Sequence, residues 1–344
     1  MRILAREARA LRRGVAIAAM VRGSCVEQPR DLEAYLVRGG VAGLCARQLG
    51  ARQLGAACHS PLVLALRRAR LIQAAMNEHL RRQMCEVFAT LEHDGLEPIV
   101  VKGWSIARHY DAPGLRPYTD VDVFVSAAAL PRARQLLRER PDAGALAVDL
   151  HGCLKGGRLP HDELRRHTEL VLCGGRPIRV LRPATQLALL ALHSTKHGHS
   201  RPIWVYDLHR LGSLGVRMSD VEYPLSRQER EYVGRSCELA NALFCADPSP
   251  ITDRYKRQVL RAWGDESALQ ESIYVVQRAP KNWGRALRSR WPNRWAAAYA
   301  NDVSLDVRWP IECITFASRC RSYAYSWAAQ RQKRRHLGVD ARRT

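Results

Sequence analysis

The sequence predicts an α+β protein in which a small mixed β-sheet is flanked by an N-terminal and a C-terminal helical region. Up to residue 95, apolar residues recur every three or four positions, as on one face of a helix. Between residues 96 and 181, short apolar runs alternate with Gly- and Pro-containing turns, as in strands. Helical spacing returns from residue 182. We therefore divide the 344 residues into an N-terminal helical region (1–95), an α/β core (96–181) and a C-terminal helical domain with a basic tail (182–344).

The longest predicted helix ends the N-terminal region. Pro61 suits its first turn and Gly95 suits the residue just beyond its end. Apolar residues follow one face of this helix at steps of three or four, namely Leu62, Leu66, Ala69, Ile72, Met76, Leu80, Met84, Val87 and Leu91. This pattern predicts an amphipathic helix with one buried face, in which the Met residues fill the core.

The α/β core begins with a strand at 99–101, which Lys102-Gly103 ends before a short helix at 104–110. After the break at Pro113-Gly114, a second strand follows at 121–125. The remaining predicted elements of the core are a helix at 127–140, a strand at 145–150, and a hairpin of 169–173 with 178–181 joined by Gly174-Gly175.

Asp120 and Asp122 carry the first chemical signal. Alternate residues of a strand share a face, so the two carboxylates are expected to lie about 6–7 Å apart along the chain. Strands disfavour Asp, and two such carboxylates repel each other, so replacing one with Asn is expected to maintain or raise stability. A divalent cation would also relieve the repulsion, and hard oxygen ligands suit Mg²⁺. Arg116, just before the strand, could meet a phosphate.

The residues of this stretch resemble the bacterial family of uncharacterised nucleotidyltransferases in the DNA polymerase beta superfamily. The matching residues are Val101-Lys102-Gly103-x-Ser105, Tyr110 and Arg116-Pro117-x-x-Asp120-Val121-Asp122-Val123-x-Val125. Further matches are Val148-Asp149-Leu150-His151, Leu192-His193 with His197-Gly198, and Val205-Tyr206-Asp207-Leu208. The resemblance implies a nucleotidyltransferase core, a nucleoside triphosphate (NTP) as co-substrate and Mg²⁺ or Mn²⁺ as cofactor.

The resemblance also implies the catalytic residues. Two metal ions can hold the attacking and leaving oxygens of a phosphoryl group in line, and three carboxylates usually bind them. Asp120, Asp122 and Asp149 are the predicted catalytic and metal-binding residues, with Asp149 chosen because it lies in an apolar strand and matches the family position. Asp149 could instead be an ordinary strand-end residue. The fallback third carboxylate is then Asp142, which lies in a Pro/Gly loop with no strand to fix it.

The predicted triphosphate cradle consists of Lys102, Gly103, Ser105 and Arg116. Gly103 lies between a buried strand and a helix, where the backbone can approach a phosphate closely. A side chain at Gly103 is therefore expected to block the nucleotide without unfolding the protein. The superfamily carries Gly-Ser at this turn, whereas here Trp104 separates the two residues. Either Ser105 replaces the missing hydroxyl, or Lys102 holds the phosphate instead.

His193 and His197 lie four residues apart, so they share a helix face. Three residues separate them, none of them acidic and one of them Lys196, which argues against a second metal site. We interpret the two His residues as structural or substrate-facing. Asp207 could accept a hydrogen bond from one of them, a pairing that the family resemblance also implies.

The net charge of +22 indicates attraction to polyanions such as nucleotides or nucleic acid. Only six of the 55 basic residues are Lys, and an excess of Arg is what a GC-rich coding sequence produces. Nucleic acid is therefore a conceivable but not a favoured partner.

From residue 280 onward Trp alternates with Arg, which suits either base stacking or, as we favour, a helical core. The basic tail at 331–335 is interpreted as a solvated end.

The ten Cys residues are scattered and none forms a Cys-x-x-Cys pair, which is typical of reduced thiols in a cytoplasmic protein. A signal peptide is not favoured, because the apolar run at 14–21 is stopped by Arg22. No apolar run approaches membrane-spanning length, so we expect no membrane span.

These observations favour an enzyme that transfers a nucleoside monophosphate from an NTP to an unidentified small-molecule, peptide or protein acceptor. The alternative is a catalytically degenerate, basic module that binds nucleic acid or another partner. The intact Asp residues favour the enzyme, whereas the altered Gly-Ser turn keeps the alternative open.

Overall fold

The computed structural model describes residues 2–24, 32–52, 61–140, 147–152, 160–245 and 254–265. The Trp-rich segment from residue 280, the basic tail and Asp142 lie outside the described residues. The predicted fold class is confirmed, because the described residues are mostly helical and form one five-stranded mixed sheet. The division into three regions at 95/96 and 181/182 stays a prediction.

The described helices are α1 (Arg2–Val21), α2 (Leu32–Arg38), α3 (Ala42–Arg52), α4 (Pro61–His93), α5 (Trp104–Ala107), α6 (Leu130–Glu139), α7 (His161–Arg166), α8 (Pro183–Lys196), α9 (Pro202–Ser213), α10 (Arg227–Phe244) and α11 (Arg254–Gly264). The strands are β1 (Ile99–Val100), β2 (Val121–Phe124), β3 (Val148–His151), β4 (Thr168–Cys173) and β5 (Arg176–Leu181).

The sheet has the strand order β3-β2-β1-β5-β4. β1 is antiparallel to β2 and parallel to β5, whereas β2 and β3 are parallel. The predicted hairpin of β4 and β5 is confirmed. Gly174 and Gly175 connect its strands with φ values of 57° and 80°, the backbone that a tight two-residue hairpin turn requires. The parallel pairing of β2 with β3 places residues far apart in the sequence side by side.

Both faces of the central strands are covered. Val121 and Val123 of β2 belong to the core that the sheet forms with α4 and α6. Phe124 points to the opposite face, where the sheet packs in a second core with α8, α9 and the N-terminal helices. Asp122 shares this second face with Phe124, because alternate residues of a strand point the same way.

The long helix α4 follows the predicted stripe only in part. Leu66, Leu80 and Met84 are buried, but Ile72 and Met76 are 52% and 45% exposed. The middle of α4 instead turns polar residues toward the segment before β2. There the Asn77 side chain donates a hydrogen bond to the carbonyl oxygen of Arg116 at 3.0 Å. The predicted burial of Ile72 and Met76 is therefore wrong. At this point the inward face of α4 carries polar residues, which hydrogen-bond the backbone before β2, and the two apolar side chains lie outside that face.

The first and last described helices pack closely against each other. An added Cβ at Gly14 of α1 would lie 1.7 Å from the carbonyl oxygen of Leu260 in α11. An added Cβ at Gly264 of α11 would lie 2.0 Å from the carbonyl oxygen of Ala10. These glycines allow the two backbones to approach, and the N-terminal and C-terminal helices therefore contribute to one core. Among the described helices, none combines the length and the apolar character needed to cross a bilayer.

Candidate active site

Two carboxylates meet at the pairing of β2 with β3. Asp122 is in register with Asp149, and Phe124 is in register with His151. Neighbouring strands lie about 4.8 Å apart, so residues in register on the same face are in reach of each other. His151 follows Asp149 by two residues and shares its face. As a result, ligand atoms of Asp122, Asp149 and His151 all lie within 4.8 Å of one another.

Asp122 is the buried member of this cluster, with 6% of its surface exposed. Its Oδ1 atom accepts hydrogen bonds from Lys102 Nζ at 2.8 Å and from His151 Nε2 at 3.0 Å. Burial alone would raise the pKa of Asp122, but the hydrogen bonds and charges of His151 and Lys102 outweigh it and lower the pKa. Asp122 therefore remains ionised at neutral pH.

Asp149 and His151 form the accessible side of the cluster. The Asp149 side chain is 60% exposed, and its Oδ2 atom lies 3.3 Å from His151 Nε2. The His151 side chain is 27% exposed and contacts both carboxylates through the same nitrogen. One imidazole thus holds the two carboxylates together, and the sequence motif contained this residue without revealing that role.

Asp120 lies at the exposed rim, immediately before β2. Its carboxyl is outside the group of ligand atoms within 4.8 Å, but it is close enough to interact with the other two. Partial desolvation by the surrounding protein raises the pKa of Asp120, and the negative charge of Asp122 raises it further. The three predicted carboxylates therefore share one electrostatic site, with Asp122 at its base and Asp120 at its rim.

Gly103 brings the turn after β1 against the residue that precedes β2. Its backbone has φ 58° and ψ −111°, and an added Cβ would lie 2.9 Å from the carbonyl oxygen of Asp120. Only glycine adopts this backbone readily. The turn places Lys102 beside Asp122, while Ser105 points the other way: it is fully buried and its hydroxyl accepts a hydrogen bond from Gln186 at 2.9 Å.

Arg116 is buried in an ion pair with Asp207 of α9. Its Nη2 and Nε atoms donate to the two carboxylate oxygens at 2.8 and 3.2 Å, and the Tyr110 hydroxyl donates to Asp207 at 2.7 Å. Asp207 is therefore engaged by Arg116 and Tyr110, because α9 points it toward the segment before β2. The pairing of Asp207 with His193 or His197 stays a prediction. This network joins the α/β core to the C-terminal helices.

The rings of His193 and His197 contact Trp204. The three ring centroids are 4.7 to 5.3 Å apart. The guanidinium of Arg201 lies over the Trp204 ring, 5.4 Å from its centroid. We call His193, His197 and Trp204 the ring cluster. Arg201 was not predicted as part of the site, because only the fold brings it near Asp120.

The donor atoms of the carboxylate cluster fit a divalent cation. Two carboxylates at one point of a sheet supply the hard oxygen ligands that Mg²⁺ and Mn²⁺ prefer, and an exposed Asp149 leaves the cluster open to solvent. A family model described as an uncharacterised nucleotidyltransferase matches residues 27–246, a range that contains every residue of this site. Comparison with curated proteins and with solved structures gave no match.

Proposed function

The chain belongs to the uncharacterised nucleotidyltransferase family, and we propose that it is an active, metal-dependent enzyme. In this proposal it transfers a nucleoside monophosphate from an NTP to an acceptor whose identity is open. One observation carries the proposal. The parallel register of Asp122 with Asp149 builds a carboxylate pair, held by His151, at the position where the family motif predicts metal ligands.

Asp122 and Asp149 are the residues that would hold a divalent cation, with Asp120 at the rim as the third carboxylate. When bound, such an ion neutralises phosphate charge and aligns the attacking and leaving oxygens. Asp122 is suited to anchor it, because its carboxylate stays ionised despite its burial. Asp120 and Asp149 are exposed, so they can meet a ligand that approaches from solvent.

Lys102 and Gly103 form the phosphate-binding part of the site in this proposal. Lys102 contacts Asp122 through a flexible four-carbon chain, so its ammonium group can turn to a phosphate when a cation takes its place on Asp122. Ser105 and Arg116 are each held by a buried partner, Gln186 and Asp207 respectively. We therefore assign them the role of fixing the turn and the segment before β2, from which Lys102 and Asp120 project.

The proposed reaction forms a bond between an acceptor oxygen and the α-phosphorus of the NTP. The bond from that phosphorus to the bridging oxygen breaks, pyrophosphate leaves, and the acceptor proton passes to solvent or to a carboxylate of the site. The test is incubation of the purified protein with each α-labelled NTP, Mg²⁺ and cell extract, followed by mass spectrometry. We expect one added nucleotide on an acceptor and release of pyrophosphate, and neither with Asp149→Asn.

The catalytically degenerate binding module remains the second candidate because of two contacts to Asp122. Lys102 and His151 already satisfy Asp122 without any metal, as a site that has lost its cation would require. The net charge of +22 would then serve a polyanionic partner. In that case neither Mg²⁺ nor NTP would raise the thermal stability of the protein, whereas ligands of the active enzyme would raise it by mass action.

A further inference from the structure

Arg201 is a half-buried cation near Asp120 of the carboxylate site. It precedes α9, and its side chain makes no capping hydrogen bond. Its Nε atom is shielded from solvent and has no hydrogen-bond partner, and the guanidinium forms no ion pair within the part of the chain that the structure describes. Arg108 and Arg176 also have a shielded, unbonded Nε, but each is paired with a Glu.

The surroundings of Arg201 make this arrangement costly in the free protein. An Arg side chain stays protonated, and a partly buried charge without a partner is unfavourable. Burial lowers the pKa of Arg201, the neighbouring Arg116 lowers it further, and Asp120 opposes the shift. Arg116 is neutralised by Asp207, whereas Arg201 is not. An anion bound next to Asp120 would supply the missing charge.

Arg201 also contacts the ring cluster, because its guanidinium lies over the ring of Trp204. His193, His197 and Trp204 are each half-buried, so their rings are partly accessible. Flat rings of this kind stack on nucleobases with little preference for sequence, and stacking contributes about 1–3 kcal/mol per base. A phosphate site and an aromatic surface therefore meet at one side chain, the guanidinium of Arg201.

We infer that Arg201 binds the phosphates of the NTP and that the ring cluster receives its base. The inference rests on the proposed function and adds to it a nucleotide subsite formed by the end of α8 and the start of α9. Beside Lys102, it gives Arg201 the phosphate-binding role that the sequence predicts for Arg116, since Arg116 is engaged with Asp207. Arg201 and Asp120 then contact the same ligand from two sides, the guanidinium through phosphate oxygens and the carboxylate through the metal.

Isothermal titration calorimetry with ATP and with inorganic tripolyphosphate, both in Mg²⁺, tests the phosphate assignment on the full chain. Arg201→Gln is expected to lower the affinity for both ligands about tenfold or more, because the substitution removes a charged group that donates hydrogen bonds to phosphate. Arg227→Gln, which removes an exposed arginine at the start of α10, is the matched control and is expected to leave both affinities unchanged.

Thermal unfolding of the ligand-free variants separates a binding role from a structural one. Because Arg201 forms no ion pair within the described residues and lies near Arg116, its replacement by Gln is expected to maintain or raise the melting temperature. A clear fall in melting temperature would contradict the inference, since it would show that the guanidinium stabilises the free protein through its contact with Trp204.

Trp204→Leu tests the base assignment. This substitution is expected to weaken the binding of ATP and to leave the binding of tripolyphosphate unchanged. Trp204→Phe is expected to recover most of the ATP affinity, because it restores a ring. Equal affinities of Arg201→Gln and wild type for ATP would overturn the inference and leave the proposed function standing. Failure of the wild type to bind ATP or to transfer a nucleotide would overturn both.

Discussion

Asp122 of β2 and Asp149 of β3 lie opposite each other on parallel strands, with the Nε2 atom of His151 at 3.0 Å from one carboxylate and 3.3 Å from the other. Two carboxylates in this position would repel each other in the absence of cations. His151 and Lys102 offset that repulsion in the free protein. The same two contacts determine how the site responds to substitution, pH and metal.

Asp122→Asn is expected to destabilise the metal-free protein. Repulsion between the aspartates alone predicts the opposite sign, but Asp122 is stabilised as an anion by His151 and Lys102. The lowered pKa means that Asp122 contributes stability above its ordinary pKa and that this contribution is lost as the pH falls through the folded-state value. Urea denaturation at pH 7 is expected to show a loss of about 1–3 kcal/mol. Asp162→Asn, with a 92% exposed side chain, is the control; an unchanged or higher stability of Asp122→Asn would show that repulsion dominates.

Asp120→Asn is expected to have the opposite effect. Because the pKa of Asp120 is raised in the folded protein, its ionisation opposes folding at neutral pH, and this penalty disappears when the group is protonated. The variant should therefore melt at a higher temperature than the wild type at pH 7 in metal-free buffer. The difference should shrink as the pH falls through the raised folded-state pKa and vanish below the ordinary Asp pKa of about 3.9. A lower melting temperature at pH 7 would place Asp120 in a favourable ion pair instead.

Gly103→Ala is expected to lower stability as well as activity. The sequence alone predicts an effect on nucleotide binding with the fold intact, but the positive φ and the 2.9 Å approach to Asp120 add backbone strain. Such strain costs about 1–3 kcal/mol per residue. Gly175→Ala also has a positive φ, of 80°, but its added Cβ meets no atom within 4 Å, so it measures the strain alone. Equal losses in the two variants, measured by urea denaturation, would show that the approach to Asp120 contributes nothing.

Arg116→Ala is expected to cost about 3–5 kcal/mol of stability, because it leaves the buried carboxylate of Asp207 without a cation. The double variant Arg116→Met with Asp207→Leu removes both charges and should recover part of that loss. Arg230→Ala on the exposed face of α10 serves as the control. If Arg116→Ala alone were as stable as the wild type, Arg116 would be free to serve a phosphate in the way that the sequence predicts.

The sequence could predict the elements of the core because their signals are local. Asp122 and Asp149 stand out as acids in apolar strands, and the turn at Gly174-Gly175 indicates the hairpin. It could not predict that β2 and β3 pair in register, so the role of His151 was missed although its motif was recognised. The partner of Arg116 lies 91 residues away, and a contact of that range leaves no periodic pattern in the sequence.

The exposed middle of α4 is a second case in which the sequence predicts an element but not its tertiary contacts. The stripe through Ile72 and Met76 has helical spacing and correctly predicts the helix. Spacing does not show which neighbours are available, however, and the neighbour at this point is a backbone segment that accepts hydrogen bonds from α4. Polar residues therefore occupy the contact face, and the apolar ones lie beside it.

Uptake of Mn²⁺, followed by electron paramagnetic resonance in the presence of a non-hydrolysable ATP analogue, tests most directly whether the carboxylate cluster is a metal site. The signal of free Mn²⁺ is expected to fall as the wild-type protein binds the ion. Asp149→Asn should leave most of that signal, and because Asp149 is exposed the variant should retain its fold. Asp162→Asn is the matched control and should behave as the wild type does. Equal Mn²⁺ uptake by Asp149→Asn and the wild type, or no uptake by either, would contradict the proposed active site.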